Sequence, residues 1–157
     1  MDDGAGQAAQ RNNGVYDVGE SAAPQGVVVE LLSAASANIT GTVLLTTTTD
    51  SNSDYRFDNL AVGRYQVRIP ASEFATGGKL YGYASSTGQD TAFTAADNNR
   101  DHGDDAEFNG VKSAVVTLSA SNPMGDVDSG ATGAGHNGPS GDPYDNLTAD
   151  FGFVPQA

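Results

Sequence analysis

Apolar and polar residues alternate with period two in several short stretches of this chain, the pattern of strands with one buried and one wet face. The clearest stretch is 53–69. Tyr55 and Phe57 alternate with Asp54, Arg56 and Asp58, and then Tyr65, Val67 and Ile69 alternate with Arg64, Gln66 and Arg68. Two arms joined by Asn59 and Gly63, with Leu60 and Val62 folding back onto the core, predict an amphipathic β-hairpin. Upstream, Val27, Val29 and Leu31 share one face of a strand over 26–32. A turn at 34–38 leads to a β-branched strand over 40–49, with Val43 and Leu45 expected inward. Residues 50–53 then turn the chain into the hairpin.

Downstream, Pro70 ends the second arm. Phe74, Leu80, Tyr81 and Tyr83 supply apolar cover as a short helical turn and a short strand, broken by Gly82 and Gly88. A further strand is expected over 111–118, with Val115 and Thr117 opposite Val116 and Leu118. Leu147, Ala149, Phe151 and Phe153 alternate in a closing strand, and Pro155 marks its exit. The pattern predicts one all-β domain over 1–157, with long acidic and Gly-rich loops.

Composition narrows the function. The 157 residues include 20 Gly but no Cys and no Trp, so neither disulfides nor thiolate chemistry operate here. A formal charge of −13 with only 7 Lys and Arg leaves no basic patch, which excludes nucleic acid as a partner. No apolar run is long enough for membrane insertion. No signal peptide is visible, and the chain opens in Asp and Gly as an excised segment would. His102 and His136 both sit in Gly- and Asp-rich loops, away from zinc-type spacing. There is no nucleophile elbow and no phosphate-binding loop. Carboxylate pairs are plentiful, but no aromatic-rich cleft accompanies them, so the chain is read as a non-enzyme.

Two acidic stretches invite a hard cation. In Asn12-Asn-Gly-Val-Tyr-Asp-Val-Gly-Glu20, the oxygens of Asn13, the Val15 carbonyl, Asp17 and Glu20 follow the spacing of the second half of a calcium loop. Ala9 and Arg11 stand where its first half would place ligands, and a solvated acidic turn is the competing reading. Residues 97–107 carry five carboxylates in eleven positions, with Arg100 the fixed cation among them. They are either a disordered acidic loop or a cation site using Asp97, Asn99, Asp101, Asp104 and Asp105. The Gly-rich excursion 119–146 adds Asp126, Asp128, Asp142 and Asp145. Glycosylation triplets at Asn38 and Asn146 are short enough to arise by chance.

Three segments together resemble the SdrD B-like repeat family, within the Cna protein B-type or prealbumin-like superfamily of bacterial surface adhesins. They are the aromatic stretch S-D-Y-R-F-D-N-L-A-V-G-R-Y-Q-V, the pairing of Asp17-x-Gly-Glu20 with Gly26-Val-Val-Val-Glu-Leu, and the closing N-L-T-A-D-F-G-F. The resemblance spans nearly the whole chain apart from the Gly-rich excursion. It implies an antiparallel prealbumin-like or Ig-like β-sandwich of about seven strands. It implies a role as a calcium-stabilised spacer of a secreted or cell-surface adhesin, with neighbouring repeats or other copies as partners. In that family an acidic residue ending the first strand completes the calcium loop, a role that would fall to Asp2 or Asp3. The same comparison places D-x-N-x-D stretches where Asp97 begins. Residues 4–11 hold no β-branched residue, so the strand before the first loop is expected to be missing and its edge open to strand addition. Two other readings stay open: a module of this fold that binds a protein or glycan, and the accessory domain of a secreted hydrolase.

Related sandwich modules often carry an intramolecular isopeptide bond, which needs a Lys on an early strand. The two lysines here are Lys79 and Lys112, and the early strand over 26–32 offers no amine. Intact mass should therefore equal the sequence mass, and a deficit of one ammonia or one water would contradict this.

Overall fold

The computed structural model describes residues 1–8, 11–34, 41–57, 60–93, 100–118 and 149–156. Its strands are β1 (Val28–Ser33), β2 (Val43–Thr48), β3 (Gly63–Ile69), β4 (Tyr83–Ser85), β5 (Val111–Lys112), β6 (Val116–Leu118) and β7 (Phe153–Pro155). Single 3-10 turns lie at Gly4–Gly6, Ala71–Glu73 and Glu107–Asn109. All strand pairing is antiparallel. One sheet runs β2-β1-β3-β5 with β6 also on β3, and the other pairs β4 with β7. The chain is an all-β, Ig-like sandwich; the alternation implied the strands and the family resemblance the sandwich.

The core lies between the two sheets. Val27, Val29 and Leu31 form it with Val67 and Ile69 of β3, Val111 of β5, Phe153 of β7, and Leu80 from the connection before β4. Burying side chains of this size contributes about 1.5–3 kcal/mol each. Alternation fails at Leu31 and Leu32, where the register between β1 and β2 shifts, and both leucines are buried. On the face away from the core, Glu30 lies opposite Arg68 and receives its Nε–H at 2.6 Å. Glu73, itself buried, accepts the backbone N–H groups of Val28 and Lys79 and thereby fastens the 3-10 turn after β3 to the start of β1.

Four expectations need correction, three of them on the β2 and hairpin side and in the connection before β4. The 53–69 hairpin does not form: β3 is flanked by β1 on one side and by β5 and β6 on the other, so no edge remains for an arm containing Tyr55. Tyr55 and Phe57 bury their rings against the core instead, with centroids 6.1 Å apart edge-on and Phe151 6.3 Å from Tyr55. Alternation was satisfied by packing, without a ladder. Second, Val43 and Leu45, expected inward, stay 39% and 44% exposed, because β2 is the outer strand. Third, Tyr81, expected as cover, is 61% exposed, while Leu80 beside it is fully buried. The turn at 34–38, Asn59, the excursion 119–146 and both glycosylation triplets lie wholly or partly outside the described residues.

Fourth, the strand expected over 111–118 is split. Between β5 and β6, Ser113 replaces a ladder rung with its side chain. Its N–H donates to the Val67 carbonyl at 2.9 Å while the Val67 N–H donates to Ser113 Oγ at 3.0 Å. Ser113 is buried, and its carbonyl also accepts from the Gln66 amide. Ser113→Ala leaves the Val67 N–H in the core without an acceptor, and it should destabilise the domain by roughly 1–3 kcal/mol. Chemical denaturation of this variant against the parent checks the value, with Ser113→Thr, which retains a hydroxyl, recovering part of the loss.

Candidate functional site

Four sequence-distant segments meet at one end of the sandwich. Asp2 donates its N–H to the Phe153 carbonyl at 2.7 Å, which sets the first residues against β7. Its carboxylate Oδ2 accepts the Gly14 N–H at 2.7 Å, and its own carbonyl accepts from Asn12. Gly14 has φ of +74°, and a Cβ there would stand 2.8 Å from the Thr87 carbonyl, so only glycine fits. Next to it, Val15 and Arg100 form an antiparallel bridge, and the Asp101 N–H donates to the Gly14 carbonyl at 2.9 Å. The two acidic loops, more than eighty positions apart in sequence, are thus laced together through backbone.

Asp101 anchors the second loop. Its Oδ1 accepts the Gly103 N–H at 2.8 Å and the Gly152 N–H at 3.1 Å, which joins the loop to the residue before β7. Adjacent to it, His102 is fully buried, stacks on Phe93 at 4.9 Å, and accepts the Asp150 N–H at Nδ1. Asp2 and Asp101 are 2% and 3% exposed, and each keeps one buried oxygen, Oδ1 and Oδ2 respectively, with no hydrogen-bond partner. Both residues line a cavity of about 270 Å³ together with Val15, Asp54, Ser86 and Asp150. Burial raises the Asp101 carboxyl to about 7; the Gly152 and Gly103 amides oppose the rise, and the charges of Asp105 and Asp2 add to it.

The expected ligands fall into separate groups. Asp2, Val15 and Asp101 come together on the cavity, although the sequence suggested two unrelated loops. Asn13, Asp17 and Glu20 fold the first loop by local bonding. Asn13 donates to Asp17 and accepts from the Val15 N–H, while Glu20, 5% exposed, accepts the N–H groups of Gly4 and Asp17. Asp3 receives the Ser21 N–H at 3.4 Å. Asp104 accepts from the Lys112 N–H and so serves the β5 edge, and Asp105 is exposed. Asp97 and Asn99 lie outside the described residues. Among those residues, no three acidic or imidazole side chains converge as a ready-made metal cluster. Sequence reasoning missed Asp54, Asp150 and Ser86 as cavity residues. The signal for Asp150 was available, since a carboxylate directly precedes the apolar closing strand.

A carboxyl whose folded value lies above its ordinary 3.8 makes the folded state the better proton binder. Its stabilising contribution is complete below about pH 4 and is lost as pH rises toward about 7. Without divalent cations, this group should make stability fall between about pH 4 and pH 7, by up to roughly 1.4 kcal/mol per pH unit. Urea unfolding in chelator at several pH values measures the slope. In Asp101→Asn the slope should be shallower, the difference from the parent isolating this carboxyl.

The geometry fits a known family. The family described as SdrD B-like domain matches residues 8–131, which include both acidic loops, β1 to β6 and most of the cavity wall. No curated protein matches the chain. Domains of this family are repeat modules of bacterial cell-surface adhesins. No helix among the described residues is long and apolar enough to cross a membrane. With the match covering most of its length and the sandwich to accompany it, the chain belongs to the SdrD B-like domain family.

Proposed function

We propose that this domain is a calcium-stabilised structural spacer in an extracellular bacterial adhesin, standing in series with further repeats. The observation that carries the reading is the pair of buried carboxylate oxygens on Asp2 and Asp101, neither with a partner, beside one cavity. A buried acceptor without a donor is destabilising, and two of them near one another repel. A hard divalent cation relieves both conditions, since calcium takes six to eight oxygens from carboxylates, carbonyls and water. Asp2 and Asp101 would hold it, with Asp54 and Asp150 on the same wall. The cation would supply positive charge and cross-linking, with no reaction. Asn13, Asp17 and Glu20 would shape the neighbouring loop through their bonds to its backbone.

A spacer benefits because the cation binds the folded form alone. At a hundred times Kd that linkage stabilises by about 2.7 kcal/mol, a large part of a typical 5–15. Extracellular modules bind calcium at about 10⁻⁴–10⁻³ M, the range in which such sites fill outside the cell.

Calcium at about 10 mM, roughly 10–100 times such a Kd, should raise the melting temperature by roughly 3–10 °C over excess chelator, and it should slow proteolysis around Asp17–Glu20 and Asp101–Asp105. Asp101→Asn should melt higher than the parent in chelator, because a neutral amide replaces a buried charge, yet gain nothing from calcium. Calorimetric titration of both proteins gives the binding directly. Identical melting curves with calcium and with chelator would sink the calcium reading.

A further inference from the structure

We propose that β2 is a self-association edge, pairing antiparallel with β2 of a second copy of this chain. Among the described residues β2 pairs only with β1, so its outer side presents backbone N–H and C=O groups without a neighbouring strand. Its side chains are exposed on both faces. Val43, Leu44 and Leu45, three residues in a row, are 39%, 50% and 44% exposed. Natural sheets guard such edges with Lys, Pro or an inward charge. Residues 41–49, Gly-Thr-Val-Leu-Leu-Thr-Thr-Thr-Thr, contain none of these and no ionisable group. The segment combines β-branched and apolar residues at zero charge, the composition that favours intermolecular strand pairing. At the opposite side of the sheet, by contrast, β5 ends in Lys112.

The occupant follows from charge. At −13, two copies repel across most of their surfaces and can meet closely only where no carboxylate stands. β2 is such a place. A basic partner would find nothing on it to recognise, whereas an identical strand is complementary to it about a two-fold axis. A two-fold axis through the Thr46 pair sets Thr46 against Thr46 of the other copy, Leu45 against Thr47 and Leu44 against Thr48, so that each rung joins β-branched or apolar side chains. This pairing draws on a different part of the fold from the cation cavity and does not depend on it.

Sedimentation velocity on the full chain in millimolar calcium, from micromolar to millimolar protein, tests the idea. A dimer should appear with rising concentration, and more strongly at about 0.5 M than at about 0.05 M salt, where repulsion is less screened. Thr46 is exposed and faces Glu30 on β1, so Thr46→Lys is compatible with the monomer fold yet sets like charges close together across the edge. It and Leu44→Lys should weaken dimerisation by at least about tenfold while circular dichroism and melting stay as in the parent. The uncharged Thr46→Val should dimerise like the parent, and its β2 amides should exchange more slowly at dimerising concentrations. Strict monomers under every condition, as expected if β2 serves a different chain, overturn the proposal. So does a dimer that both lysine variants leave intact.

Discussion

Buried carboxylates that accept backbone N–H groups hold this domain's loops in place. Asp2 receives Gly14, Asp101 receives Gly103 and Gly152, Glu20 receives Gly4 and Asp17, and Glu73 receives Val28 and Lys79. All four side chains are at least nine-tenths buried. Charge-assisted bonds of this kind are about twice as strong as neutral ones. They let a Gly-rich chain fix long connections without disulfides, and among the described residues with no helix beyond single 3-10 turns. The acidic composition is therefore architectural as well as electrostatic. The same residues carry the liability, because each such carboxylate has a second oxygen that must also find a partner.

That second oxygen separates the structural acids from the candidate site. Glu20 and Glu73 use both oxygens on backbone donors and are complete. Asp2 and Asp101 use one each and leave the other toward a shared cavity. The difference is one of supply. Two backbone amides reach each glutamate, whereas the cavity beside Asp2 and Asp101 is walled largely by apolar groups, with Asp54, Asp150 and Arg100 among its polar ones.

The residues made part of this legible in advance. Val27, Val29, Leu31, Val67, Ile69 and Phe153 reached the core because period two fixes which face a residue takes once its strand is known. Partner choice was not written in that period. Tyr55 and Phe57 have the alternation of a strand, but the competition for the β3 edges was won by β1, β5 and β6, which lie far off in sequence. The exposure of Val43 and Leu45 likewise depends on how far the second sheet reaches, a property of the assembled layers. At the site, spacing picked out Asp17, Glu20 and Asp101, and the family resemblance pointed to Asp2 or Asp3. Neither could show that Asp2 and Asp101 would meet while Asp17 and Glu20 turned to their own backbone. Contacts between loops separated by the whole sandwich leave no local periodicity to read.

The pairing of β4 with β7 bears on the order in which the molecule is made. Tyr83 lies opposite Pro155, so the second sheet closes only after the intervening chain has been synthesised. Loop closure over such a separation is slow, because chain entropy is lost before any contact compensates it. Until Phe153 emerges from the ribosome, Val29, Val67 and Leu80 lack the ring that completes their cluster, and the amide of Gly152 has not reached Asp101. The first sheet must wait, half covered, for β7. The emergence of that one short strand sets the moment at which the folding of this unit can finish.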